Sequence, residues 1–158
     1  MPTYAMKSVS MRETSRGVSF VGTLHKNGKR IATVENDGSG AETCVYWDAV
    51  RDLRAEEERV FLSWYEAHRS GHWSEDFPPH LGLAVEMLLD WHDFDGMSKQ
   101  RFLLRNPADS ECIQTAEVPP ELRNDVARGL AERYAAFEVW DSTSHRWNPV
   151  STLVDAAV

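Results

Sequence analysis

The feature that most constrains the fold is an Asn-Gly pair, Asn27-Gly28, set between two runs of strand-forming residues. An Asn-Gly pair readily takes positive φ at both central positions of a tight turn, which makes it the strongest short-range hairpin signal. Apolar residues alternate with polar ones over 18–24, and the run 30–35 contains Ile31 and Val34. The pattern therefore predicts an antiparallel hairpin around residues 27 and 28.

Two further segments extend this hairpin into a β-meander over residues 1–47. Residues 43–47 are β-branched and aromatic, which favours a strand, and residues 7–12 are predicted to add an edge strand. Cys44 falls inside the predicted strand 43–47, without a CxxC pairing to Cys112. We therefore expect both cysteines to be buried free thiols.

Helical spacing of apolar residues begins after residue 47. A first helix is predicted over 48–70, with Asp48 as its N-cap and Gly71 as its end. The remaining predicted elements are a helix over 79–91, a turn over 92–98, strands over 101–105 and 112–116, a helix over 119–134 and a hairpin over 137–150. Together they predict an α+β fold, in which the N-terminal antiparallel β-meander packs against about three helices and a C-terminal β-hairpin follows.

A chain of 158 residues with 42% apolar residues fits one domain. We predict a single domain over 1–158 with three parts, namely the β-meander 1–47, a helical acidic part 48–98 and a mixed part 99–158. The sequence has neither an apolar stretch long enough to span a membrane nor a signal-peptide core, which predicts a cytoplasmic protein.

Charge is distributed unevenly along the chain, whose formal net charge is −8. Residues 1–40 contain six Lys or Arg and three Asp or Glu, whereas residues 41–158 contain eleven and twenty-two. The stretch 71–98 has six acids and neither Lys nor Arg. Such a balance argues against nucleic-acid binding by the whole surface and against an anionic membrane as partner, and it suits a basic partner.

Motifs for catalysis are missing from the sequence. It has neither a Gly-x-Ser-x-Gly elbow nor a Gly-rich phosphate loop, so we predict a protein with no catalytic residues and no cofactor. One alternative is a small metal-dependent enzyme, because imidazole and carboxylate groups at short spacing can bind a metal ion. Its ligands would come from His68, His72, His92 and Asp93.

Six tryptophans are the other unusual feature. Trp47, Trp64 and Trp91 fit core positions of the predicted elements. The other three are predicted in loops or at hairpin ends, with at least one partly exposed: Trp73, Trp140 and Trp147. An exposed Trp is enriched at the energetic centres of protein interfaces, so it indicates a binding surface.

The N-terminal hairpin also carries a longer sequence pattern. Its residues are Gly17, Val18, Phe20, Leu24, Gly28, Lys29, residues 31–38 (Ile-Ala-Thr-Val-Glu-Asn-Asp-Gly) and Gly40. This pattern resembles the first hairpin of small uncharacterised proteins encoded by bacteriophages, plasmids and other mobile elements, in which a second Gly stands where Ala41 stands here. The resemblance implies a bacterial host cytoplasm as the setting and assigns no reaction.

In size, acidity and lack of motifs the chain also resembles inhibitors of CRISPR-type and other defence complexes, some of which imitate nucleic acid with carboxylates. The leading hypothesis is thus a non-catalytic binding protein whose partner is a host protein or a protein–nucleic-acid complex. Its predicted partner-binding residues are Trp73, Glu75, Asp76, Asp90, Asp93 and Asp95.

The alternative is a nucleic-acid-associated regulator that uses the basic hairpin, since phosphate affinity comes from clustered positive charge. Its predicted contacts are Arg12, Arg16, Lys26, Lys29 and Arg30.

Overall fold

The computed structural model describes residues 2–99 and 101–152 of the chain. It confirms the predicted α+β class, with two antiparallel sheets and three α-helices among the described residues. The backbone divides into two compact units, Met1–His92 and Asp93–Val158. That the whole chain forms one domain stays a prediction.

The first unit begins with a four-stranded meander in the order β1-β2-β3-β4. The strands are β1 (Tyr4–Thr14), β2 (Gly17–Lys26), β3 (Lys29–Asn36) and β4 (Cys44–Trp47). Asn27 and Gly28 have φ values of 52° and 79°, so the predicted turn is confirmed with positive φ at both positions. Gly38, at φ 72°, has no room for a side chain, because a Cβ would lie 2.7 Å from the Ser19 nitrogen.

Helix α1 (Arg51–His68) packs its apolar face on the inner side of this sheet. The ring centroid of Phe61 lies 4.8 Å from that of Tyr4 and 6.3 Å from that of Trp47. Trp64 meets Trp91 of helix α2 (Leu81–Ser98) at 5.6 Å. The predicted core positions of Trp47, Trp64 and Trp91 are therefore confirmed.

The second unit contains the end of α2 and a second four-stranded sheet in the order β6-β5-β7-β8. Its further elements are β5 (Arg101–Asn106), β6 (Asp109–Glu117), α3 (Arg123–Arg133), β7 (Glu138–Asp141) and β8 (Arg146–Pro149). A short 3₁₀ helix, Pro120–Leu122, leads into α3. The predicted C-terminal hairpin is confirmed, and it pairs with β5.

Two predicted helix ends are wrong. Asp48 does not cap α1, which begins at Arg51 with Val50 in the N-cap position, and the Asp48 carboxylate instead lies 3.2 Å from the Arg30 guanidinium. The turn predicted over 92–98 is a continuation of α2 through Ser98. There Phe94 packs against Trp140 and Trp147, and these tertiary contacts outweigh the weak helix propensity of the Asp95-Gly96 pair.

The prediction of a buried Cys44 is also wrong, since its thiol is exposed. Side chains alternate across β4, and Trp47 occupies the core side. Cys44, three residues earlier, therefore faces solvent. The side chain of Cys112 lies outside the described part of the chain.

Candidate functional site

The predicted partner-binding residues fall in both compact units. Trp73, Glu75 and Asp76 lie in the segment between α1 and α2, and Asp90 lies on α2, all within the first unit. Asp93 and Asp95 belong to the second unit. Residues 71–77, called the 71–77 loop below, include a short 3₁₀ helix, Trp73–Asp76.

Asp90 holds the 71–77 loop against α2 through one carboxylate oxygen. The indole Nε1–H of Trp73 donates to Asp90 Oδ2 at 3.1 Å, and His72 Nε2 lies 3.0 Å from the same oxygen. Because the carboxylate accepts both bonds, the orientation of the Trp73 ring is fixed by a hydrogen bond as well as by packing.

The hydrogen bonds of His72 define its tautomer. Its Nδ1 accepts from the backbone N–H of Ser74 at 3.2 Å, so that nitrogen carries no proton. The proton of the neutral ring is therefore on Nε2, from which it is donated to Asp90.

A buried hydroxyl pair extends this network into α1. Ser74 Oγ lies 2.7 Å from His72 Nδ1, and the Tyr65 hydroxyl donates to Ser74 Oγ at 2.6 Å. Tyr65 and Ser74 are both fully buried. The chain of bonds from Tyr65 to Asp90 thus ties the loop to both helices of the first unit.

Arg69, the residue directly after α1, holds the loop backbone through its guanidinium. Its Nη1 donates to the carbonyl oxygens of Ser74 and Phe77, at 3.2 and 2.5 Å, and its Nη2 pairs with Glu66 at 2.9 Å. Glu75 accepts from the backbone N–H of Gly71 at 2.7 Å. Backbone groups along the loop therefore have partners, which limits its conformational freedom.

Two aromatic side chains project from this anchored loop. Trp73 is 49% exposed and Phe77 is 53% exposed, and their ring centroids are 6.2 Å apart with 72° between the ring planes. Pro78 and Pro79 follow Phe77, whose φ and ψ of −105° and 150° are the extended values that a residue before proline prefers. The prediction of a partly exposed Trp is confirmed at Trp73.

Carboxylates dominate the electrostatics around these rings. Burial, and then the negative charge of Asp90 one turn away on α2, raises the pKa of Glu86. The nearby imidazoles of His80 and His72 oppose this rise. Asp76 is exposed on the loop itself. The surface beside Trp73 is therefore acidic.

Asp95 has a different role, inside the second unit. Its carboxylate accepts from the indole N–H of Trp140 at 2.9 Å and lies 2.9 Å from His145 Nε2. Trp140 is buried, so Asp95 satisfies an indole that would otherwise lose its hydrogen bond on folding. Asp93 is exposed on the same helix.

The five residues of the predicted nucleic-acid surface do not converge. Arg12 and Arg16 lie at the β1–β2 turn, whereas Lys26, Lys29 and Arg30 flank the β2–β3 turn. The strand β2 that separates these turns has ten residues and so is roughly 33 Å long.

The second of these groups lines a pocket of about 560 Å³ together with two acids. Lys26 pairs with Glu57 at 2.8 Å and Arg30 with Asp48 at 3.2 Å. Among the described residues, Lys29 is thus the cation of this pocket that has no ion pair. Because the other two cations are neutralised by acids, the pocket attracts a phosphate group less strongly.

Two of the predicted metal ligands, His68 and His72, make hydrogen bonds to other groups. His68 Nδ1 lies 2.7 Å from the Trp64 carbonyl oxygen, to which it donates, and the His68 ring stacks on that of Trp64. His72 is bonded to Ser74 and Asp90. Within residues 2–99 and 101–152, His, Cys, Asp and Glu side chains form no group of three that could hold a metal ion.

Sequence reasoning missed Phe77, Ser74 and Tyr65 as parts of this surface. The signal for Phe77 was its place before two prolines in an acidic loop, which marks an extended and exposed segment. For Ser74 and Tyr65 the sequence contains no local signal, since their bond joins residues nine positions apart on two different elements.

Comparison with protein-family models, curated proteins and solved structures finds no match for this chain. In the part of the chain that the structure describes, no helix is both long and apolar enough to cross a bilayer.

Proposed function

We propose that this chain is a non-catalytic binding protein whose 71–77 loop docks on a basic surface of a partner protein. The observation that carries the proposal is the pair Trp73 and Phe77, exposed on a loop whose hydrogen bonds hold it to both helices of the first unit. Large aromatic side chains on an ordered loop lose little conformational entropy on binding, which makes them efficient anchors. The surrounding carboxylates favour a partner of opposite charge.

The proposed partner is a host protein or protein–nucleic-acid complex, such as a CRISPR-type defence complex, in the cytoplasm of a bacterium that carries a mobile element. Two observations support this setting. The pattern over residues 17–40 resembles hairpins of mobile-element proteins, and the net charge of −8 suits a groove that ordinarily holds nucleic acid.

The test starts with capture from bacterial lysate, with and without nuclease, followed by affinity measurement on the purified partner. Trp73→Ala is expected to weaken binding at least about tenfold, which is the loss typical of an interface anchor. Asp76→Lys is expected to slow association and to reduce its dependence on salt.

Tyr46→Ala is the matched control. Tyr46 is 53% exposed in the same unit, but it lies on β4 and not on the loop. Equal affinities for wild type and Trp73→Ala would refute the proposed function. Capture of nucleic acid without a stoichiometric protein, lost on nuclease treatment, would instead favour the nucleic-acid alternative.

A further inference from the structure

The rings of Trp73 and Phe77 form an open corner on the 71–77 loop. Their planes are 72° apart and their centroids 6.2 Å apart, so the rings stand nearly perpendicular as two adjoining walls. About half of each side chain is exposed. The His72 ring also packs against that of Trp73, with centroids 5.2 Å apart and 39° between the planes. A flat group can therefore lie against the part of the Trp73 ring that His72 leaves exposed, while the Phe77 ring limits its sideways movement.

The Asp90 carboxylate lies at the indole N–H edge of Trp73, beside this corner. Asp90 Oδ2 accepts from Trp73 and His72, whereas Oδ1 has no donor among the described residues. The Asp90 side chain is 39% exposed, so Oδ1 can accept from a ligand. The indole N–H of Trp73 is already bonded to Asp90, so a ligand that stacks on the ring does not leave this donor without an acceptor. The corner thus combines an electron-rich face with a negative charge, which is the chemistry of a cation site.

Among the described residues, no Lys or Arg forms an ion pair with Asp90 or a cation–π contact with Trp73 or Phe77. The stretch 71–98 contains neither Lys nor Arg. Arg69 is bonded behind the loop to the Ser74 and Phe77 carbonyl oxygens, and its charge is paired with Glu66. Its guanidinium would have to break these bonds to reach the exposed side of the rings.

We propose that this corner binds the guanidinium group of an arginine side chain presented by the partner. Guanidinium is planar and weakly hydrated, so it stacks on an indole at low desolvation cost while its N–H groups reach a carboxylate. An ammonium group has a compact charge and holds its water more tightly, which suits a flat-walled corner less well. This inference rests on the proposed function and specifies the chemical group that the loop recognises.

The test uses three short capped peptides of identical length, whose three basic positions carry arginine, lysine or neutral citrulline. Binding to the full chain is followed through the indole N–H resonances of ¹⁵N-labelled protein at about 150 mM salt. At that ionic strength, contacts between charges farther apart than about 8 Å are largely screened. Trp73→Phe assigns the resonance of Trp73, and Trp73→Ala removes the ring.

The arginine peptide is expected to shift the Trp73 indole resonance and to bind at least about fivefold more tightly than the lysine peptide, as a stacked guanidinium predicts. The citrulline peptide is expected to bind at least about tenfold more weakly than the arginine peptide, since it keeps the shape and loses the charge. Trp73→Ala should abolish the difference between arginine and lysine, and Tyr46→Ala should preserve it.

Equal affinity of the arginine and lysine peptides would overturn the inference, and so would resonance shifts that leave Trp73 unaffected. Either result is separable from the proposed function. If the purified partner still needs Trp73 while the peptides do not discriminate, the loop binds by another chemistry. If the purified partner binds Trp73→Ala as tightly as wild type, the proposed function itself is wrong.

Discussion

Tyr65→Phe removes a single oxygen from the network that holds the 71–77 loop. The phenol ring is fully buried and stays in place, so the substitution leaves the packing of α1 unchanged. What is lost is the 2.6 Å hydrogen bond to Ser74 Oγ, whose residue is also fully buried. A net hydrogen bond contributes about 1 kcal/mol, and Ser74 Oγ, which keeps its bond to His72 Nδ1, loses the donor that Tyr65 supplied. We expect the free energy of unfolding to fall by about 1–2 kcal/mol.

Ser74→Ala removes the acceptor that the Tyr65 hydroxyl reaches at 2.6 Å and leaves it only the backbone carbonyl oxygen of residue 74, at 3.5 Å. The loss is expected to cost about 1–3 kcal/mol. In the double variant neither group remains to be left unpaired. Its loss should therefore be smaller than the sum of the two single losses by about 1 kcal/mol, the coupling expected for residues in direct contact.

The assay is equilibrium unfolding in urea, followed by circular dichroism and by tryptophan fluorescence. Because the chain has two compact units, the two signals are compared before a single transition is fitted. Tyr46→Phe is the control, since its exposed hydroxyl bonds Glu35 at 2.7 Å and its loss should change stability by less than about 0.5 kcal/mol. The reasoning about the buried network would be refuted if Tyr65→Phe changed the free energy of unfolding by less than about 0.5 kcal/mol. It would also be refuted if the loss in the double variant equalled the sum of the losses in Tyr65→Phe and Ser74→Ala.

Three further predictions concern other positions. Burial and the charge of Asp90 raise the pKa of Glu86, so the folded chain binds the Glu86 proton more tightly than the unfolded chain does. The contribution of this proton to the free energy of unfolding is therefore present at low pH and is lost as pH rises. Glu86→Gln should therefore gain stability relative to wild type between about pH 4 and pH 7 in urea titrations at each pH; a stability difference that is constant across these pH values would contradict this. Asp95→Ala should destabilise the second unit by about 1–3 kcal/mol, because it leaves the indole N–H of buried Trp140 unpaired, and thermal unfolding measures the loss; an unchanged melting temperature would speak against that role. Gly38→Ala places a Cβ 2.7 Å from the Ser19 nitrogen at φ 72°, so a loss of at least about 1 kcal/mol is expected in urea, and wild-type stability would show that this turn relaxes without strain.

Much of the fold follows from local patterns. The hairpin at Asn27-Gly28, the strand over 43–47 and the C-terminal hairpin were all predicted from turn residues and alternation, and the structure contains each of them. Their causes lie within a few neighbouring residues, because a tight turn and a period of two residues set strand direction and facing.

The candidate site was only partly predictable. The acidic stretch and Trp73 were visible in composition and spacing, whereas the role of Asp90 was not. Its partners His72 and Trp73 are 18 and 17 positions away, and the pattern of α2 alone does not say which loop will meet that carboxylate. Asp95 was grouped with Asp90 by charge, yet its partners are Trp140 and His145, 45 and 50 positions away.

The sequence by itself determined the turn at Asn27-Gly28, the meander, the uneven charge and the absence of recognised catalytic motifs, because each depends on residue types or on spacing within one element. Only the tertiary structure decided that α2 continues through Asp95-Gly96, that Cys44 faces solvent, and that Trp73 and Phe77 stand as a corner beside Asp90. These outcomes depend on packing and hydrogen bonds between elements, whose energies outweigh local propensities of a few tenths of a kcal/mol to about 1 kcal/mol per residue.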